Sequence, residues 1–168
     1  MDPLKPFRLT PGDAERYTGL RRQMLETDPW SFSASPDDDK GLDAEHLTDA
    51  LGREDYAICG VERGAELVAA AGIMRARRRK HDHRCKMWGV YVAPEHRGRG
   101  FGRAVMSLAI ELARGWSGVD YVDLGVSERA AAARQLYESL GFVQWGREPE
   151  ATEWNGKRFD EIFLTLKL

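Results

Sequence analysis

From Lys86 to Ala113 the chain reads "KMWGVYVAPEHRGRGFGRAVMSLAIELA", and no other stretch limits its fold so strongly. "MWGVYV" is apolar almost without alternation, as a central strand covered on both faces requires. After "RGRGFG", Arg97 to Gly102, the apolar residues Phe101, Val105, Leu108 and Leu112 recur at helical spacing. Glycine costs backbone entropy, so Gly98, Gly100 and Gly102 in one turn need a reason. A strand end that runs into a helix N-terminus supplies one, because unpaired N–H groups and the helix dipole favour an anion there. The spacing excludes two nucleotide-binding loops: Arg103 stands where G-x-G-x-x-G needs its last glycine, and G-x-x-x-x-G-K-S/T is absent. A plain strand-to-helix turn explains the glycines alone, whereas Arg97, Arg99 and Arg103 beside them weigh for a phosphate cradle.

The flanking segments give this unit a sheet to sit in. "FRLT" reads as a short first strand, and Pro11 to Glu26 as a helix with Thr10 as N-cap. A helix over Asp43 to Leu51 precedes strands at Tyr56–Glu62, Leu67–Arg75 and Cys85–Val92, whose hairpin "ERGAE" and polar connection "RARRRKHDH" suit antiparallel neighbours. The order then changes to helix Gly100–Trp116, strand Tyr121–Val126 and helix Ala130–Leu140, a crossover that makes a parallel pair. Strand Phe142–Trp145, the "NG" turn at Asn155 and Gly156, and strand Arg158–Leu168 close the chain as a hairpin. The expected fold class is α/β: one mixed sheet, antiparallel in its N-terminal strands with a central parallel pair, in a single domain over residues 1–168.

Composition narrows the partners. With 25 Lys and Arg against 27 Asp and Glu, a net charge of −2 gives no overall field toward nucleic acid or an anionic membrane. Neither nucleic acid nor membrane is an expected partner. Cys59 and Cys85 sit in apolar, strand-like stretches, which reads as reduced core thiols rather than a disulfide framework. "MDPLKPFRLTPGD" lacks the basic end and apolar stretch of a secretory leader, so a cytoplasmic location is the expectation. His81 and His83 lie in a charged loop without a third ligand, and no metal is assigned. The basic run Arg75 to Arg84 reads as a solvated hairpin connection; it lies at the far end of the central strand from the glycine turn, roughly 26 Å away.

"VYVAPEHRGRGFGRAVM" resembles motif A of the GNAT superfamily of acetyl-CoA-dependent N-acetyltransferases, whose signature R/Q-x-x-G-x-G/A is matched by Arg97, Gly100 and Gly102. "AARQLYESLGFV", Ala132 to Val143, is similar to the family's later helix and strand, and the element order is similar over nearly the whole chain. The resemblance implies that acetyl-CoA is the cosubstrate and that Arg97, Gly98, Arg99, Gly100, Phe101, Gly102 and Arg103 hold its pyrophosphate through backbone amides. It further implies that Val90, Tyr91 and Val92 run beside the pantetheine arm, and that an N–H near Val92 serves the oxyanion.

N-acylation by a thioester needs a free amine, an oxyanion donor and a proton for the departing thiolate. Tyr137 matches the family's usual general acid, against the plainer reading of a tyrosine packed among Leu136, Leu140 and Phe142. Relatives often carry a glutamate on the central strand or near the end of the next, but "MWGVYV" has no carboxylate and the second position is Gly125. Asp123, two residues earlier on the same strand face, is the candidate base, with a solvent-facing aspartate or deprotonation through water as alternatives. Ala130 stands where relatives often have an asparagine. By analogy with the family, the loop Asp28–Asp39 walls the acceptor site, with Trp30 and Phe32 for an apolar acceptor or Asp37 to Asp39 for a cationic one. The expected function is transfer of an acetyl or short acyl group to a small-molecule or peptide amine. The alternative is a non-catalytic acyl-CoA-binding regulatory domain; a homodimer through the final hairpin is compatible with either.

Overall fold

The computed structural model describes residues 4–168. Its strands are β1 (Phe7–Arg8), β2 (Tyr56–Arg63), β3 (Glu66–Arg75), β4 (Arg84–Val92), β5 (Tyr121–Ser127), β6 (Val143–Trp154) and β7 (Lys157–Lys167). The helices are α1 (Ala14–Thr27), α2 (Ala44–Leu51), α3 (Phe101–Gly115) and α4 (Ala131–Ser139). All seven strands join one sheet in the order β1-β2-β3-β4-β5-β7-β6, antiparallel everywhere except β4 against β5. The expected mixed sheet with its central parallel pair is therefore observed, because α3 provides the crossover a parallel pair requires.

The core lies where β2 and β3 are covered twice. α1 contributes Tyr17, Leu20 and Met24, and α3 contributes Val105, Met106, Ala109 and Ile110; the β3 run Val68 to Ile73 is buried between them. Burying each large side chain here stabilises by roughly 1.5–3 kcal/mol, which is why neither cysteine is needed as a staple. Both are free and buried, and desolvation pushes the thiols up, Cys59 to about 12 and Cys85 to about 11.

Two irregularities place the site. β4 and β5 pair only at Arg84–Tyr121, Cys85–Val122 and Lys86–Asp123, and beyond that point the two strands are unpaired. On the other side of β4, the step from Ala70 to Gly72 faces the longer step from Tyr91 to Trp88, so β4 carries an extra residue at Gly89 and Val90. Gly89 takes φ +59°, the left-handed backbone of a bulge's first residue.

β6 departs most from expectation, running to Trp154 instead of stopping at Trp145. Pro149 and the charged stretch around it read as a connection, yet β6 is an edge strand that tolerates proline at a bulge. The pairing with β7 does shift between Glu148 and Thr152, with Glu150 at φ +53°.

Candidate active site

The separation of β4 from β5 opens a cleft of about 660 Å³, lined on one wall by Met87 to Val92 and on the other by Leu124 to Val126. Its end is formed by the turn into α3, and α4 contributes Ala131 to Ala133, Leu136 and Tyr137. Small side chains keep the α4 wall open.

The glycine turn bares its backbone. Gly98 and Gly100 take φ +73° and +85°, and Gly100 caps α3 without a side-chain acceptor. Among the described residues, none of the amides from Gly98 to Arg103 meets a backbone or side-chain acceptor; the first helical bond is Ala104 N to Gly100 O. Six consecutive free N–H groups at a helix N-terminus favour an anion. A Cβ on Gly98 would meet nothing within 4 Å, so its value there lies in φ and in close approach. Gly102 differs: a Cβ would stand 3.0 Å from Leu136 Cδ2, so that glycine lets α3 and α4 pack.

The arginines divide unevenly. Arg97 donates from Nε to Val92 O at 2.9 Å and from Nη2 to Asp28, and its guanidinium lies over the Tyr91 ring. Its side chain thus ties the loop after α1 to the end of β4, and its own N–H donates to Pro94 O at 3.2 Å, so Arg97 does not offer the free amide expected of it and the free amides begin at Gly98. Arg103 donates to Ser139 Oγ at 2.7 Å but still lines the cleft, whereas Arg99 is exposed and does not line it. Phe101 is buried beneath His96 as the hydrophobic foot of α3.

Val90, Tyr91 and Val92 all line the cleft. Ala69 faces Val92 while Ala93 N bonds Val68 O, which makes that pair the non-hydrogen-bonded kind and turns the N–H of Val92 away from β3. Since β5 has parted from β4 there, this N–H faces the cleft. The Tyr91 ring is buried and its hydroxyl is hydrogen-bonded to Thr27 at 2.8 Å, so this side chain is already partnered.

Tyr137 is buried against Phe142 and borders the cleft. Desolvation holds its phenol well above the ordinary value, so it keeps its proton at neutral pH. Packing and a place at the cleft coexist in this residue.

Asp123 is not brought to this cleft. Arg84 grips its carboxylate at 2.7 and 2.6 Å, and Thr165 donates at 2.7 Å. It lines a second cavity of about 470 Å³, together with Arg77, Arg78, His81, Lys86, Glu161 and Phe163. The two cavities share Leu124 and Gly125. The basic run is exposed as expected over Arg77 to His81, yet Arg77, Arg78 and His81 border this cavity rather than open solvent alone.

The loop after α1, expected at the acceptor site, lines the β4–β5 cleft through Asp28, Trp30, Ser31 and Phe32 and does not line the second cavity. Asp39 is unavailable to a cationic acceptor, because it forms a buried 2.5 Å ion pair with Arg21 that packs over Phe32 and Trp88. Arg129, which the sequence did not single out, lies over Trp30 and Phe159 and joins this loop to β7 across the cleft mouth. Its only sequence signal is a charge one residue before the uncapped Ala130 at the start of α4. Among the described residues there is no group of three or more His, Cys, Asp or Glu able to hold a metal, and no helix is long and apolar enough to cross a membrane.

Known proteins are similar to this chain in sequence and in fold. The Acetyltransferase (GNAT) family model matches residues 20–142. The N-alpha-acetyltransferase RimI of Mycobacterium tuberculosis is 32% identical over 86% of this chain and 82% of its own length. The L-amino acid N-acyltransferase MnaT of Escherichia coli is 35% identical, but the match covers 47% of this chain and just under half, 45%, of that relative. Among solved structures, yncA of Salmonella typhimurium with its cofactor acetyl-CoA superposes with a TM-score of 0.82 over 99% of this chain and 94% of its own, at 22% identity.

Proposed function

The chain belongs to the GNAT acetyltransferase family and is an acyltransferase, and from that premise we propose that it moves an acetyl group from acetyl-CoA to a primary amine by direct attack. The observation that carries the donor assignment is the set of free amides from Gly98 to Arg103 at the end of a cleft opened by the parting of β4 and β5. Acetyl-CoA fits these residues: a diphosphate suits the amides, and an extended pantetheine arm suits the unpaired edge of β4, where it would take the place of a missing strand.

When bound, the cosubstrate supplies a thioester carbonyl open to an amine and a thiolate as leaving group. The N–H of Val92 would then donate to the carbonyl oxygen as negative charge develops on it. Tyr137, kept protonated by burial, would pass its proton to sulfur. The relatives' names, an L-amino acid N-acyltransferase and an N-alpha-acetyltransferase, support a small-molecule or peptide amine as acceptor. A single catalytic domain is the simplest reading of one sheet that carries the whole site.

One observation favours a second reading, a non-catalytic acyl-CoA-binding domain. Among the described residues the only carboxylate lining the donor cleft is Asp28, and Arg97 holds it. Release of free coenzyme A thiol, followed with L-methionine, spermidine and a tripeptide bearing a free N-terminus, separates the two. Catalysis predicts release that depends on one of these amines; binding of acetyl-CoA without any amine-dependent release would favour the regulatory domain.

A further inference from the structure

The acceptor must lose a proton before it attacks, and the donor cleft offers no free carboxylate for it. We propose that Glu161 on β7 is the general base, and that the acceptor amine reaches the thioester from the second cavity, which meets the donor cleft at Leu124 and Gly125. This rests on the acyl-transfer reading given above.

Glu161 reaches the meeting point because Gly125 has no side chain. A Cβ built on Gly125 would fall on Glu161 Oε1 and stand 2.9 Å from its Cδ, so the carboxylate fills the space a side chain at 125 would use. The register explains how. Gly125 faces Phe163 and Ser127 faces Glu161, so Glu161 lies on the same sheet face as Gly125, one diagonal step away. Phe163 is stacked by Trp145 at 5.5 Å on its other side.

The two carboxylates of this cavity are in opposite states. Asp123 is held by Arg84 and Thr165, whereas among the described residues Glu161 has no hydrogen bond or ion pair. Burial pushes its carboxyl above the ordinary range, Lys86 on β4 opposes that, and Glu148 on β6 adds to it. Arg77, Arg78 and His81 from the β3–β4 connection and the Arg84–Asp123 pair complete the charges around the cavity. A half-buried carboxylate without a fixed partner is free to bind an ammonium group and is a better proton acceptor than an exposed one.

The step balances as follows. Glu161 accepts one proton from the acceptor ammonium and returns it to solvent through the cavity mouth. The freed nitrogen lone pair forms the C–N bond to the thioester carbon as the C–S bond breaks, and its electrons stay on sulfur. Tyr137 protonates that sulfur, and the second proton leaving nitrogen restores its phenol. The products are an amide, a free thiol and one proton.

A raised carboxyl pKa means the folded state holds the proton more tightly than the unfolded chain. The stability it contributes at low pH is lost as pH rises through the folded value, so ionised Glu161 at neutral pH is a cost to the fold. A carboxylate held by a structural ion pair would show the reverse.

The test uses the full chain, acetyl-CoA and whichever of L-methionine, spermidine or the tripeptide the wild type acylates. Glu161→Gln is expected to lower kcat/KM at neutral pH about 100-fold. It should also abolish the acid limb of the wild-type profile, which lies above the ordinary carboxylate range, while acetyl-CoA affinity stays within about twofold and the melting temperature does not fall. Moving the carboxylate, by Glu161→Ala with Gly125→Glu, is expected to recover part of the loss. A variant that keeps both the rate and the acid limb, or one that is slow only because it melts earlier, overturns the base role while acyl transfer stands. A wild type that releases no thiol with any of these amines overturns the acyl-transfer reading, and the base role falls with it.

Discussion

The cleft between β4 and β5 takes backbone and small residues from Val90, Val92, Gly98, Gly100, Gly102 and Ala131 to Ala133, whereas the cavity beside it takes Arg77, Arg78, Lys86, Asp123 and Glu161. The first presents N–H groups whose positions are set by main-chain dihedrals; the second presents charges on side chains from three strands and a loop. A cosubstrate of fixed chemistry can be held by main chain, which substitutions change little. An acceptor that varies between relatives must be chosen by side chains, which substitutions change readily.

Variants of each cavity should therefore separate donor from acceptor effects. Tyr137→Phe removes the proton donor without opening a hole, and kcat is expected to fall about 100-fold while acetyl-CoA affinity holds within about twofold. An unchanged kcat in the thiol-release assay would return Tyr137 to packing alone. Gly125→Ala, which displaces the Glu161 carboxylate rather than any backbone, should lower kcat/KM by roughly 10- to 100-fold, with little change in melting temperature.

On the donor side, Gly98→Val should weaken acetyl-CoA binding by about tenfold, because a β-branched residue at φ +73° costs about 1–2 kcal/mol and stands between ligand and main chain. Calorimetric titration would show it, and equal affinity in a folded variant would break the cradle assignment. The smallest effect is expected for Arg77→Ala, whose acetyl-CoA affinity should stay within about twofold despite the lost positive charge. A large loss there would put phosphate recognition in the wrong cavity.

The same contrast explains what was legible in the sequence. The donor cradle is local: strand, glycine turn and helix lie within Met87 to Ala113, and their order placed Val90, Tyr91, Val92 and the turn together in the cleft. What stayed hidden depends on pairing. Nothing near Arg97 announces that its side chain would be taken by Asp28, nor does "MWGVYV" reveal a bulge at Gly89. Alternation along β5 makes Asp123 visible in the sequence, but its partner Arg84 is 39 residues away and Glu161 comes from a strand that follows α4. The full length of β6 is hidden for a related reason, since only its edge position accommodates Pro149.

The most direct measurement is a crystal structure of the protein with acetyl-CoA bound. The account predicts the pyrophosphate on the amides of Gly98 to Arg103, the thioester carbonyl at the N–H of Val92 and its sulfur facing Tyr137. A pyrophosphate bound instead to Arg77 and Arg78, with the glycine turn empty, would contradict it.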